Sequence, residues 1–172
     1  MTPSSPLSET LINKAQATLE ELFVNAIASN ILRQFKGTFS MPSLAFNQRG
    51  KIAGSAVLQK NLIKLNAKLF AQNTDYFLSH IIAHELAHIM VYQLYGLRVK
   101  PHGREWKKIM LEAFKLAPEV THSMDTKDVT LRTFMYKCTC QTVALSVIRH
   151  NKVVRGKQTY ICRRCGESLI AV

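Results

Sequence analysis

No apolar run in this 172-residue chain is long enough to cross a bilayer: the longest charge-free stretches, Leu86 to Leu97 among them, reach 12 residues, and a spanning helix needs about 20. A membrane partner is therefore not expected. The opening residues, Met-Thr-Pro-Ser-Ser-Pro, carry neither a basic nor an apolar segment, so no secretory signal is read there and a cytoplasmic location is the default. Acidic residues are scarce, 11 Asp and Glu against 23 Lys and Arg, and the net charge of +12 suits a polyanion such as nucleic acid or an acidic membrane surface, of which nucleic acid is the expected partner. No cysteine precedes Cys138. The four present, Cys138, Cys140, Cys162 and Cys165, crowd the last 35 residues, and in a reducing compartment two close pairs read as metal ligands before disulfides. Internal repeats and low-complexity segments are missing as well.

What is present is a globular composition, 47% hydrophobic and 20% charged, and a length that fits one core with at most a small appendage. Apolar residues at helical spacing predict a helix from Ser8 to about Phe35, followed by Gly37. Short apolar or alternating runs at Leu44 to Phe46, Ile52 to Leu58 and Leu62 to Asn66 predict strands. A second, buried helix is expected from Thr74 or Asp75 to Gly96, and a third over residues 104–116 around Trp106, Ile109, Met110 and Ala113. Residues 117–132 show no strong period and mark a boundary, giving modules at 1–132 and 133–172. The second module is rich in β-branched and aromatic residues and reads as strands and turns. It is too short to fold on a core alone, which suggests a metal staple. The fold class is α+β.

His84-Glu85-Leu86-Ala87-His88 is an H-E-x-x-H sequence inside the second predicted helix. Histidines at i and i+4 share a helix face and can bind one ion, and the glutamate beside the first can reach a water on that ion without binding it. This pattern suits zinc polarising a water and a carboxylate removing its proton. About 0.01 accidental matches are expected in a chain of this composition. A catalytic zinc takes three protein ligands and keeps an open position. His102 in Pro-His-Gly-Arg-Glu-Trp is the preferred third ligand over Glu105, whose place in a first helical turn is explained by the helix dipole. His80 continues the i+4 series but has Ile81 where the base should be, so it is read as a neighbour of the site or a helix-surface residue. His122 is an unassigned loop histidine.

Cys162-Arg-Arg-Cys165-Gly166 has the spacing of a zinc knuckle. Cys138-Thr-Cys140 is one residue shorter, so either both sulfurs bind or one yields to His150. Four thiolates are the preferred set. Two zinc ions are expected, one catalytic and one structural. Around the second site, Lys137, Arg149, Lys152, Arg155, Lys157, Arg163 and Arg164 face only Glu167, which places +6 of the +12 in 40 residues. Phe134, Tyr136 and Tyr160 lie among them as candidate stacking surfaces, so this module is the expected nucleic-acid contact.

Taken together, these motifs resemble the SprT family of zinc metalloproteins, related to the Spartan proteases that degrade proteins crosslinked to DNA. The resemblance rests on the leading helix, Lys51-Ile-Ala-Gly-Ser-Ala56, Leu62-Ile-Lys-Leu-Asn66, His84 to His88, Pro101-His-Gly-Arg-Glu-Trp106, and Tyr136-Lys-Cys-Thr-Cys140 with Cys162-Arg-Arg-Cys165. It implies a zincin-like catalytic domain with His84, His88 and His102 as ligands and Glu85 as base, followed by a zinc ribbon. It also implies that an extended substrate lies along Ala53 to Leu58. The function expected is hydrolysis of peptide bonds in DNA-associated proteins, on single-stranded or damaged DNA, by a monomer. The rival reading is a non-catalytic, nucleic-acid-binding regulatory zinc protein. Glu85 separates the two, since a structural site has no use for a base beside an open position.

Overall fold

The computed structural model describes residues 7–120 and 133–172. The segment expected to separate the modules lies mostly outside the described residues, as does His122. The chain divides into two compact units, Met1–Val129 and Thr130–Val172.

In the first unit, helix α1 (Glu9–Ala28) begins at Ser8, whose side chain accepts the Leu11 N–H, and buries Ala15, Leu19, Phe23 and Ala26. The helix stops well before Phe35. Ser29 is already extended, with ψ at 155°, and its backbone N–H closes the helix on the Ala26 carbonyl. A 3₁₀ turn over Arg33–Thr38 follows, and Gly37 lies within it. Three short strands, β1 (Ser43–Ala45), β2 (Gly54–Val57) and β3 (Leu62–Leu65), then form a sheet in the order β1-β3-β2. Strand β3 is central, parallel to β1 and antiparallel to β2, so β2 is an edge. A short helix α2 (Ala67–Gln72) was not foreseen from the periodicity. Its cap is the buried Asn66, which accepts the Leu69 N–H and donates through Nδ2 to the carbonyls of Gly50 and Ile52, at 2.8 and 3.3 Å.

The expected second helix is one rod of three pieces: α3 (Thr74–Tyr76), a π-helical turn over Phe77–Ile81, and α4 (Ile82–Tyr95). Helix α4 is buried almost all round, through Ile82, Ala83, Leu86, Ala87, Ile89, Met90 and Val91, and ends at Gly96 with φ at +62°. The wide turn was not legible beforehand. It lies just before α4 and contains His80. The third predicted helix is likewise α5 (Arg104–Lys108) running into a π turn over Ile109–Ala113. Leu19, Ile63, Phe70, Phe77, Leu86 and Trp106 are among the side chains that fill the core.

The second unit is an antiparallel sheet in the order β5-β4-β6, from β4 (Thr133–Lys137), β5 (Thr142–Ser146) and β6 (Ile170–Ala171). Between β5 and β6 lies an unforeseen helix, α6 (Val147–Val154), capped by the Ser146 side chain. Its Val147, Ile148, Val153 and Val154 belong to the β-branched content on which strands and turns are expected for this module. The core is Tyr136, Leu145, Cys162 and Leu169, too little to hold a unit unaided. No helix among the described residues is long and apolar enough to cross a membrane.

Candidate metal centres

Helix α4 places His84 and His88 one turn apart, and the turn before α5 brings His102 to them. The three Nε2 atoms form a triangle with sides of 3.3, 3.1 and 3.2 Å. Two nitrogens on a tetrahedral zinc at its usual bond length lie about 3.3 Å apart, so the donor set fits that ion. Burial, then the rings of His84 and His102, hold the His88 imidazole down to about 3, and burial lowers His102 too. Neutral rings are the form that ligates. Trp106 fixes the cluster: its ring centroid lies 4.8 Å from those of His84 and His102 and 5.5 Å from that of His88, and its Nε1–H donates to the His84 carbonyl at 3.3 Å. Glu105 lies outside this group and faces Arg104 at 3.9 Å. His80 is outside it as well, stacked on Tyr76.

Glu85 is 8% exposed and accepts the backbone N–H of Ala56 on edge strand β2. Burial pushes its carboxyl up to about 7, against the lowering effect of that N–H. Gly54 makes the approach feasible, since a Cβ there would lie 3.0 Å from Glu85 Cγ and 3.1 Å from Ile81 Cγ2. Sequence reasoning assigned no role to Gly54 or to the Ala56 amide. An interior strand glycine signals a close backbone approach, and that was the available clue. A cavity of ≈ 160 Å³ opens beside Gly54, His84 and Glu85.

In the second unit, the four cysteine sulfurs lie within 4.8 Å of one another, with Cys138 to Cys140 at 3.5 Å and Cys140 to Cys162 at 3.7 Å. Sulfurs on a tetrahedral zinc are about 3.8 Å apart, so this set fits as well. Amides of Cys165 and Arg164 and the Gln141 side chain bring the Cys162 thiol down to about 6. Gly166, at φ +77°, closes the knuckle by donating its N–H to the Cys162 carbonyl. His150 is not part of the cluster. It sits on α6 with its ring flat against Phe134, and its Nδ1 is 3.0 Å from the Tyr136 hydroxyl.

The seven basic residues within 133–172 are all exposed. Lys152, Arg155 and Lys157 surround one depression, while the Arg149 guanidinium lies over the Tyr160 ring at 5.7 Å. The expected aromatic platform is not formed as read. Tyr136 is buried in the small core and Phe134 is covered by His150, because alternate residues of β4 face inward.

The SprT-like family matches residues 24–126. The chain is similar to proteins named Protein SprT. That of Vibrio parahaemolyticus is 47% identical over 135 residues, 78% of this chain and 81% of its own. That of Pasteurella multocida is 48% identical over 136 residues, 79% and 82% of the two chains. That of Klebsiella pneumoniae is 43% identical over 143 residues, 83% and 86%. No solved structure matches.

Proposed function

The chain belongs to the SprT-like family, and from that premise we propose that it is a zinc metallopeptidase hydrolysing peptide bonds in DNA-associated proteins. The observation that carries the reading is the carboxylate of Glu85, buried beside three converged imidazoles and held by the Ala56 N–H at a sheet edge. A purely structural metal would need none of this. His84, His88 and His102 would hold zinc, which when bound supplies the Lewis acidity that makes water a nucleophile near neutral pH. Edge strand β2 offers its free side to an extended substrate. Glu85, with its carboxyl near 7, takes a proton from the attacking water at its carboxylate oxygen and returns it to the leaving amine as the C–N bond breaks. The exposed cations of the second unit support the DNA part, since phosphate contacts need no base recognition.

Glu85→Gln tests it. The variant should keep zinc at the histidines and lose about 10²- to 10⁴-fold in peptide hydrolysis, assayed with and without DNA. Undiminished hydrolysis in the variant would remove Glu85 as the base, and the absence of zinc-dependent hydrolysis in the unmodified chain would leave the non-catalytic, nucleic-acid-binding zinc protein as the better reading.

A further inference from the structure

We infer that the cavity beside Glu85 is a specificity subsite for a lysine or arginine side chain adjoining the cleaved bond, with Glu119, His80 and Tyr76 as its determinants. This deepens the peptidase reading and rests on it. The cavity shares His84, Glu85 and Gly54 with the reactive centre, and Tyr76, His80 and Glu119 also line it. At ≈ 160 Å³ it is well below the size of a pocket for a whole ligand, and it suits one side chain.

Its chemistry runs against that of the molecule. The chain carries +12, yet among the described residues the cavity wall has two carboxylates and neither Lys nor Arg. Glu85 is committed to the Ala56 N–H and is buried, which leaves Glu119 as the exposed negative charge.

His80 adds an acceptor. The Ser79 hydroxyl donates to the Asp75 carbonyl at 2.6 Å, so at the 2.7 Å contact between Ser79 Oγ and His80 Nδ1 the hydrogen belongs to the ring. In the neutral ring that hydrogen on Nδ1 leaves Nε2 with its lone pair. The ring is clamped flat on Tyr76, with centroids 4.8 Å apart and planes 12° apart. Tyr76 in turn has its phenol raised by burial and then by the Glu119 charge, and both side chains line this cavity. Ile81 and Met110 line the same cavity and supply apolar wall for the methylene stem of a basic residue. A carboxylate, a ring nitrogen lone pair and a phenol oxygen over an apolar floor match an ammonium or guanidinium group. They leave an acidic side chain unmatched. DNA-associated proteins are rich in the residues that fit.

The test uses zinc-loaded full-length protein and fluorogenic peptides differing only in the residue on either side of the cleaved bond: Lys, Arg, Leu or Glu. The unmodified chain should prefer Lys or Arg over Leu by about 10- to 100-fold in kcat/KM, and disfavour Glu. Glu119→Lys should abolish that preference and favour Glu peptides, and Glu119→Gln should reduce it, with zinc content unchanged in both. Cleavage with the same ranking in Glu119→Lys overturns the subsite. Equilibrium binding of the same peptides is measured in parallel. If nothing is cleaved, the peptidase reading fails. In that case, binding that favours Lys over Leu and is reversed in Glu119→Lys still upholds a cation pocket, and equal binding removes it.

Discussion

A Cβ placed on Gly54 would lie 3.0 Å from Cγ of Glu85 and 3.1 Å from its Oε1. The edge strand therefore sets the position of the base, and only the smallest residue admits that contact. Gly54→Ala should move Glu85 by a few tenths of an ångström and lower kcat by about 10- to 100-fold, with both metals retained. Full activity in this variant would show that the carboxylate tolerates displacement and that its seat on β2 is incidental.

Trp106, the sole tryptophan, lies against all three metal-site histidines. Cobalt(II) added to metal-free protein should strongly quench its emission. The effect should be lost in His84→Ala and kept in Cys162→Ser. Bound cobalt with unchanged fluorescence would place the metal elsewhere. Trp106→Ala should also destabilise the first unit by about 3–5 kcal/mol, because it empties the core under the site.

Metal analysis should give two zinc ions per chain. Cys162→Ser should leave one ion and unfold the second unit, whose core is only Tyr136, Leu145, Cys162 and Leu169. In units of this size metal binding supplies most of the folding free energy, about 10–16 kcal/mol. His84→Ala should leave the other ion and no hydrolysis. A single zinc in the unmodified chain would remove one assignment, and these two variants tell which.

Arg163 and Arg164 are exposed between Cys162 and Cys165, on a turn where the Arg164 N–H is 3.4 Å from the Cys162 sulfur. A metal-fixed turn presents them to phosphate at little cost in entropy. In the Arg163→Ala, Arg164→Ala double variant, log affinity for DNA against log salt should flatten by about one to two units, with histidine-site zinc unchanged. An unaltered slope with binding intact would move the DNA contact to the basic residues between Arg98 and Lys108.

His84, His88 and the four cysteines were legible from the chain alone as candidate ligands, with the helix that carries the histidine pair. His84 and His88 share a face because i and i+4 always do on a helix, and Cys162 and Cys165 converge through the local geometry of a glycine-ended knuckle. Long helices, short strands and a cation-rich second module were legible for the same reason: each is a property of neighbours in sequence. What failed was also local in cause but decided elsewhere. The π turn over Phe77–Ile81 interrupts the single regular helix expected there, and α6 formed from β-branched residues because Ser146 caps it and β4 packs beneath it, whereas His80 outside the histidine group and His150 outside the cysteine group agree with the preferred readings. Tertiary structure alone decided the reactive environment. Glu85 is buried because β2 crosses it, His102 is chosen over Glu105 because the turn before α5 aims one and not the other, and Glu119 reaches the Tyr76 cavity from more than thirty residues away in sequence. A carboxyl near 7 and a cavity with acidic walls arise from desolvation and from contacts between distant segments, and such effects have no period in the sequence to reveal them.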